Sequence, residues 1–235
     1  MELIFIRHGQ ASFGQRDYDI LSELGKEQSL LAAQHLLQTG LSFAQAYSGT
    51  LNRQLDTAAV VLEHLETNDI TALPLTKIPG LNEYPFESVI RHYFPLLAAE
   101  DSAFHSHFEN AWTDKRSFHL LLDQSVNRWL TGNAVPDEVE GWNRFVQRVE
   151  AAIKQITAEN DKSSRILIFS SGGVISAAVH LATGMSPYES MRMGWGLVNA
   201  SMTKFRFGSA GLILHTFNSY QHLESYQAGK LITYR

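Results

Sequence analysis

The chain contains no cysteine. Disulfides, thiolate nucleophiles and zinc–thiolate centres are therefore excluded at the outset. Positive charge is also in short supply, with 19 Lys and Arg against 24 Asp and Glu and a net charge of −5. Non-specific nucleic-acid binding needs a basic face, so no nucleic-acid partner is expected. No apolar run approaches the roughly 20 residues of a membrane span. The apolar stretch at the N-terminus, Leu3-Ile4-Phe5-Ile6, is too short for a secretory signal, and the charge before it, Glu2, has the wrong sign. A cytoplasmic location without membrane attachment is the expectation. Gly-rich nucleotide loops, dinucleotide fingerprints and serine elbows are missing as well.

What remains is an alternation of apolar runs and helical patterns over 235 residues, room for one α/β domain with an insertion. Leu3–Ile6 and Arg165–Phe169 are short continuous apolar runs, the pattern of parallel strands buried on both faces. Ala44–Ser48 reads as a further strand. Helices are expected over Ser22–Gln38, with Gly40 as its stop, over Leu51–Leu65 and over Val174–Thr183. Ser201–Phe207 and Leu212–Phe217 flank Gly208-Ser209-Ala210-Gly211 and predict a closing hairpin. This order predicts a three-layer α/β/α sandwich with a mostly parallel sheet, in a single domain spanning residues 1–235.

Residues 84–140 break the alternation. They are helical in pattern and rich in aromatics (Tyr93, Phe94, Phe104, Phe108, Trp112, Phe118, Trp129), and are read as an inserted helical cap. The cap holds four Lys and Arg against nine Asp and Glu, so it carries the whole charge excess of the chain.

Three polar clusters follow predicted strands: Arg7-His8-Gly9, Arg53 in the first turn of the second helix, and Ser170-Ser171-Gly172-Gly173. In open α/β sheets ligands bind at this carboxyl edge. A lone arginine in a first turn is ordinarily a surface charge; the shared strand-end position gives the set its meaning. Two guanidiniums suit a phosphate dianion, whose oxygens their planar forks bind in pairs. Backbone N–H groups at the Gly172-Gly173 helix start add anion donors. A neutral histidine between them is a competent nucleophile toward phosphorus. The ten histidines raise a metal alternative, above all at His105-Ser106-His107. On a helix that pair diverges and no carboxylate completes it, so no metal and no cofactor are expected.

Taken in order, these motifs resemble the histidine phosphatase superfamily, which includes the phosphoglycerate mutases. Arg7-His8-Gly9 after an N-terminal strand resembles its signature. Asp19-x-Leu21-Ser22-x-x-Gly25 is similar to its lead-in to the first helix, and Ser48-Gly49-Thr50-Leu51-x-Arg53-x-x-x-Thr57-Ala58 to its second arginine motif. Leu81-Asn82-Glu83, the Glu140–Val149 segment, Asn199-Ala200-Ser201 and Asn218-x-x-x-His222-Leu223 match further motifs. The resemblance implies that His8 is a phosphohistidine nucleophile and that Arg7 and Arg53 hold the phosphate, with Ser171 and Gly172 beside it. It also implies that Glu83 protonates the leaving oxygen.

Two departures stand out. The family pattern places a second catalytic histidine where this chain has Ser171, which brings no positive charge; His222 is the other group able to take that role. The loop Gln10-Ala11-Ser12-Phe13-Gly14 lacks the family's usual asparagine, and the segment to Asp19 is shorter than in the mutases. The leading expectation is thus a phosphatase acting on a small phosphorylated metabolite. A catalytically impaired protein that binds a phosphorylated ligand or a protein partner is the alternative, and a mutase the third. A homodimer is left open.

Overall fold

The computed structural model describes residues 1–12, 19–68, 71–132, 138–224 and 229–234. The chain separates into two compact units, Met1–Glu83 with Arg148–Arg235, and Tyr84–Gln147.

The first unit is built on a six-stranded sheet flanked by helices, a three-layer α/β/α sandwich with four parallel strands. In chain order the strands are β1 (Glu2–Arg7), β2 (Gln45–Ser48), β3 (Leu75–Lys77), β4 (Arg165–Ser170), β5 (Met202–Gly208) and β6 (Gly211–Ser219). Their order across the sheet is β3-β2-β4-β1-β5-β6. β1, β4, β2 and β3 run parallel, while β5 and β6 are antiparallel additions. β1 and β4 lie at the centre with both faces covered, which is why they read as unbroken apolar runs.

One face receives α1 (Glu23–Gln38) and α2 (Asn52–Glu66): Ala32, Ala33 and Leu36 of α1 with Ala58, Val61 and Leu65 of α2 close over Ile4, Ile6, Ala46, Leu167 and Phe169. Residues of opposite parity, Leu3, Phe5, Ile166 and Ile168, are equally buried and face the other way. Ser22 starts α1 by accepting from the Gly25 N–H. A close backbone approach fixes that start against the loop after β1. A Cβ on Gly9 would lie 2.3 Å from the Gly25 carbonyl oxygen, and one on Gly25 would lie 2.2 Å from that of Gln10.

The remaining helices of this unit are α7 (Gly172–Thr183), α8 (Pro187–Trp195) and the short α9 (Gln221–Glu224). α6 (Trp142–Glu159) runs into this unit at Arg148. Asn160, just beyond α6, donates to the Tyr47 hydroxyl on β2, which itself donates to Glu159. Expected and observed elements agree to within two residues, as they do for α7, whose Gly172-Gly173 lies inside its first turn. Among the elements with no local signature are β3 and α8. β3 is a three-residue edge strand with no buried position, and α8 is a short helix after Gly184.

The second unit holds α3 (Phe86–Glu100), α4 (Ser102–Asn110) and α5 (Lys115–Thr131). Ile90, Phe94, Leu97 and Leu121 form its core. Asp101 and Asp114 cap α4 and α5 through their carboxylates. Tyr84, Trp129, Trp142 and Phe145 pack ring against ring, and the Trp129 indole N–H donates to the Glu140 carbonyl over 2.8 Å.

Candidate phosphate site

Sheet order explains why the three polar clusters meet. β2, β4 and β1 are neighbours, so Ser48, Ser170 and Arg7 end side by side at the carboxyl edge. The His8 N–H continues the ladder to the Ser170 carbonyl at 2.9 Å.

His8 is buried and doubly oriented. Its Nδ1 lies 2.8 Å from the Gly9 carbonyl, which only accepts, so Nδ1 carries the ring proton. Nε2 is then a free base, and the Arg53 Nε–H donates toward it over 3.3 Å. Burial, followed by the charges of Arg53 and Arg7, holds the His8 pKa well below the usual imidazole value, against a smaller opposing pull from the Gly9 carbonyl. At neutral pH the ring is uncharged, with its lone pair directed at a cation.

Arg53 is held by Asp19, whose Oδ1 accepts from a guanidinium nitrogen at 2.6 Å and whose Oδ2 accepts from the Asn52 N–H at 2.7 Å. Both partners are largely shielded, which makes this ion pair a positioning contact more than a surface ornament. Thr57, one turn later, accepts from the Gly9 N–H at 3.0 Å and donates to the Arg53 carbonyl. Arg7 donates to the carbonyls of Leu197 and, at 2.9 Å, Tyr234. Its Nε comes within 3.8 Å of where a Cβ on Gly172 would stand, so Arg7 reaches the start of α7. Glu83 arrives at the same place: its Oε2 accepts from the Gly173 N–H at 3.2 Å.

The turn before Glu83 is firmly tied. Arg148 donates to the carbonyls of Gly80, Asn82 and Glu83 at 3.0, 2.7 and 3.1 Å. The Asn82 side chain exchanges hydrogen bonds with Thr50. Ser171 stands at the N-cap position of α7 in extended conformation, is fully buried, and its hydroxyl oxygen accepts from Gln54 Nε2 at 2.8 Å.

The structure thus brings Arg7, His8, Arg53, Glu83, Ser171 and Gly172 to one sheet edge. His222 is placed differently. Its Nε2 donates to the Ala200 carbonyl at 3.1 Å, its Nδ1 finds no hydrogen-bond partner among the described residues, and its ring stacks on His35 of α1. Neither ring nitrogen bonds Ser171. His105 sits by Glu109 and His107 by Ser117; among the described residues no group of three or more His, Asp or Glu could hold a metal. Phe13 and Gly14 lie outside the described residues.

Sequence reasoning passed over four contributors. Asp19 and Thr57 stood inside quoted motifs without a role. Gln54 follows Arg53 and looked like an ordinary helix residue. Asn199 is fully buried and donates to the His8 carbonyl at 3.1 Å, beside Ala200, which takes a left-handed φ of 58°.

A family model described as histidine phosphatase superfamily (branch 1) matches residues 3–220. The chain belongs to that superfamily. It is similar to the 2,3-bisphosphoglycerate-dependent phosphoglycerate mutase of Bartonella henselae, at 37% identity over 87 residues, 34% of this chain and 41% of the relative. Across such relatives the chain spans about two-fifths of their length. The mutase of Bartonella bacilliformis is 26% identical over 196 residues, 80% of this chain and 84% of that one. Among solved structures, the alpha-ribazole phosphatase from Shigella flexneri is similar with a TM-score of 0.61 and 26% identity, covering 94% of this chain and 97% of that chain. Among the described residues no helix is long and apolar enough to cross a membrane.

Proposed function

We propose that the protein is a phosphomonoesterase that hydrolyses a small organic phosphate through a phosphohistidine at His8. The observation that carries this reading is the state of His8: proton on Nδ1, held by the Gly9 carbonyl, and lone pair on Nε2, beside the Arg53 guanidinium.

In the first half-reaction Nε2 of His8 attacks phosphorus and the bond to the ester oxygen breaks. The Glu83 carboxyl gives a proton to that leaving oxygen. The imidazole then carries the phosphoryl group on Nε2 and retains its proton on Nδ1, a cation that the Gly9 carbonyl stabilises. In the second half-reaction the Glu83 carboxylate takes a proton from water, the water oxygen attacks phosphorus, and the P–N bond breaks. Inorganic phosphate leaves and both residues return to their starting states. Arg7, Arg53 and the start of α7 at Ser171 and Gly172 hold the equatorial oxygens, where charge must be met by fixed donors.

Ser171 stands where the family pattern has a histidine and supplies no charge. Loss of one such donor lowers turnover by about 10²–10³. That replacement, which rests on the resemblance of the motifs, supports one second reading, a protein that binds a phosphorylated ligand and turns it over poorly. A mutase reading is disfavoured by the short loop between His8 and Asp19. Incubation with an activated phosphodonor, followed by mapping of an acid-labile, base-stable label, tests the proposal. Label on His8 and release of inorganic phosphate support it; tight binding of phosphate without label supports the second reading.

A further inference from the structure

Ser171 is fully buried, and so is its partner Gln54. The Gln54 carboxamide can sit only one way round. Its Oε1 accepts from the Leu51 N–H at 3.3 Å, and its Nε2 donates to the Leu81 carbonyl at 3.1 Å, partners that respectively only donate and only accept. Ser171 Oγ must then be the acceptor of the second Nε2 proton. Room for this carboxamide exists because residue 49 is glycine: a Cβ there would lie 2.0 Å from Gln54 Oε1. Ser170 Oγ donates to the same Leu81 carbonyl at 2.7 Å, so both lone pairs of that oxygen are used. Two residues on is Glu83, whose carboxylate returns to α7 at the Gly173 N–H. The contacts close a ring: Ser171 to Gln54, Gln54 to Leu81, along the turn to Glu83, and from Glu83 back to the helix at whose N-cap position Ser171 stands.

We infer that Gln54 and Ser171 act as one positioning pair that sets where the Glu83 carboxyl meets the leaving oxygen, and that position 171 is not a vacancy left by a missing histidine. The inference rests on the proposed role of Glu83 as proton donor. Both side chains are fully buried, and the Gln54 amide donates to the Ser171 hydroxyl oxygen, so an imidazole at 171 displaces Gln54 and with it the contact to the Leu81 carbonyl. The chemical consequence is selective. A poor leaving group, an alkoxide, depends on the placement of Glu83, whereas a nitrophenolate departs without a proton.

The test compares the wild type with Gln54→Leu, Ser171→Ala, their double variant and Ser171→His, using glycerol phosphate and p-nitrophenyl phosphate. In kcat, each of the first two variants loses about 10–100-fold more with the alkyl ester than with the aryl ester, less than the roughly 10²–10⁴ of a whole general acid because the acid is displaced and not removed. The double variant falls no further than either single one, because the two residues work as a unit. Ser171→His lowers activity on the alkyl ester. Equal losses on both esters, additive losses in the double variant, or activation by Ser171→His would each overturn the inference. A wild-type protein that turns over neither ester and never labels His8 strikes the proposed function instead. The pair is then decided by unfolding midpoints in the same four-protein cycle, where additive destabilisation rejects it.

Discussion

Arg53 points its Nε–H at Nε2 of His8 across 3.3 Å, while Asp19 grips the same guanidinium from the far side at 2.6 Å. A cation fixed against the lone pair of an imidazole opposes protonation of that ring. On the proposed mechanism the same guanidinium would exchange the ring for a phosphate oxygen when substrate arrives. Under that proposal the placement of Arg53 would serve both the state of the nucleophile and the binding of its target.

The first prediction follows from the sign of that effect. The His8 pKa is lowered by burial first, then by Arg53 and Arg7. His8 therefore stays nucleophilic as pH falls through 6.5, and the acid limb of His8 labelling lies well below that value. Arg53→Met removes a positive neighbour, so the limb moves upward. A labelling rate measured against pH for both proteins checks this, and a limb that moves down or stays still contradicts it.

Stability should depend on His222 in acid. Its pKa is lowered to about 4, by burial above all, with His35 adding to the effect and the Ala200 carbonyl opposing it. The unfolded chain binds this proton near pH 6.5, the folded chain only near pH 4. The stability that comes with the neutral buried ring is thus complete above about 6.5 and is lost as pH falls to 4, in total on the order of 3 kcal/mol. His222→Gln, which keeps a donor for Ala200, has a flatter profile between pH 7 and 4 in denaturant titrations. Parallel profiles for the two proteins would show that His222 is not the group responsible.

Arg148 donates to three successive-turn carbonyls and should matter to both fold and activity. Arg148→Met is expected to cost about 2–3 kcal/mol, the scale of hydrogen bonds from a charged donor. Chemical denaturation measures the loss. Alkyl phosphate turnover should fall alongside it, since the Glu83 carbonyl is one of the three.

Gly9 and Gly25 allow two backbones to touch. Gly9→Ala places a Cβ 2.3 Å from a carbonyl oxygen that cannot move without α1, and about 3 kcal/mol of destabilisation is expected. Gly208→Ala at the end of β5, where an added Cβ meets no atom of the described residues within 4 Å, is the control. A thermal midpoint for Gly9→Ala equal to that of the control would refute the close approach.

Much of this architecture was legible in the sequence, for physical reasons that differ by element. β1 and β4 are buried on both faces, so their composition alone announces them. α1 is framed by Ser22 and Gly40, a cap and a left-handed stop that leave a local signature. β3 leaves none, being three half-exposed residues whose pairing with β2 is decided by tertiary context. At the site, Arg7, His8 and Arg53 were visible because they sit at strand ends in a recognisable order. Asp19, Gln54 and Asn199 act through contacts with residues 34, 117 and 191 positions away, and no local pattern encodes such distances. Ser171 shows the limit most clearly. Beside its neighbours in sequence it looks like a missing histidine; beside Gln54 it is the buried acceptor of an amide proton.

The measurement that bears most directly on the central claim is phosphoryl transfer to His8. The protein is incubated with acetyl phosphate carrying a labelled phosphoryl group, quenched in base and mapped by peptide. The account predicts an acid-labile label on the His8 peptide that a following chase of unlabelled buffer releases as inorganic phosphate, and no label in His8→Ala. Label found on Ser171 or His222, or none on wild-type protein that binds phosphate tightly, would contradict it.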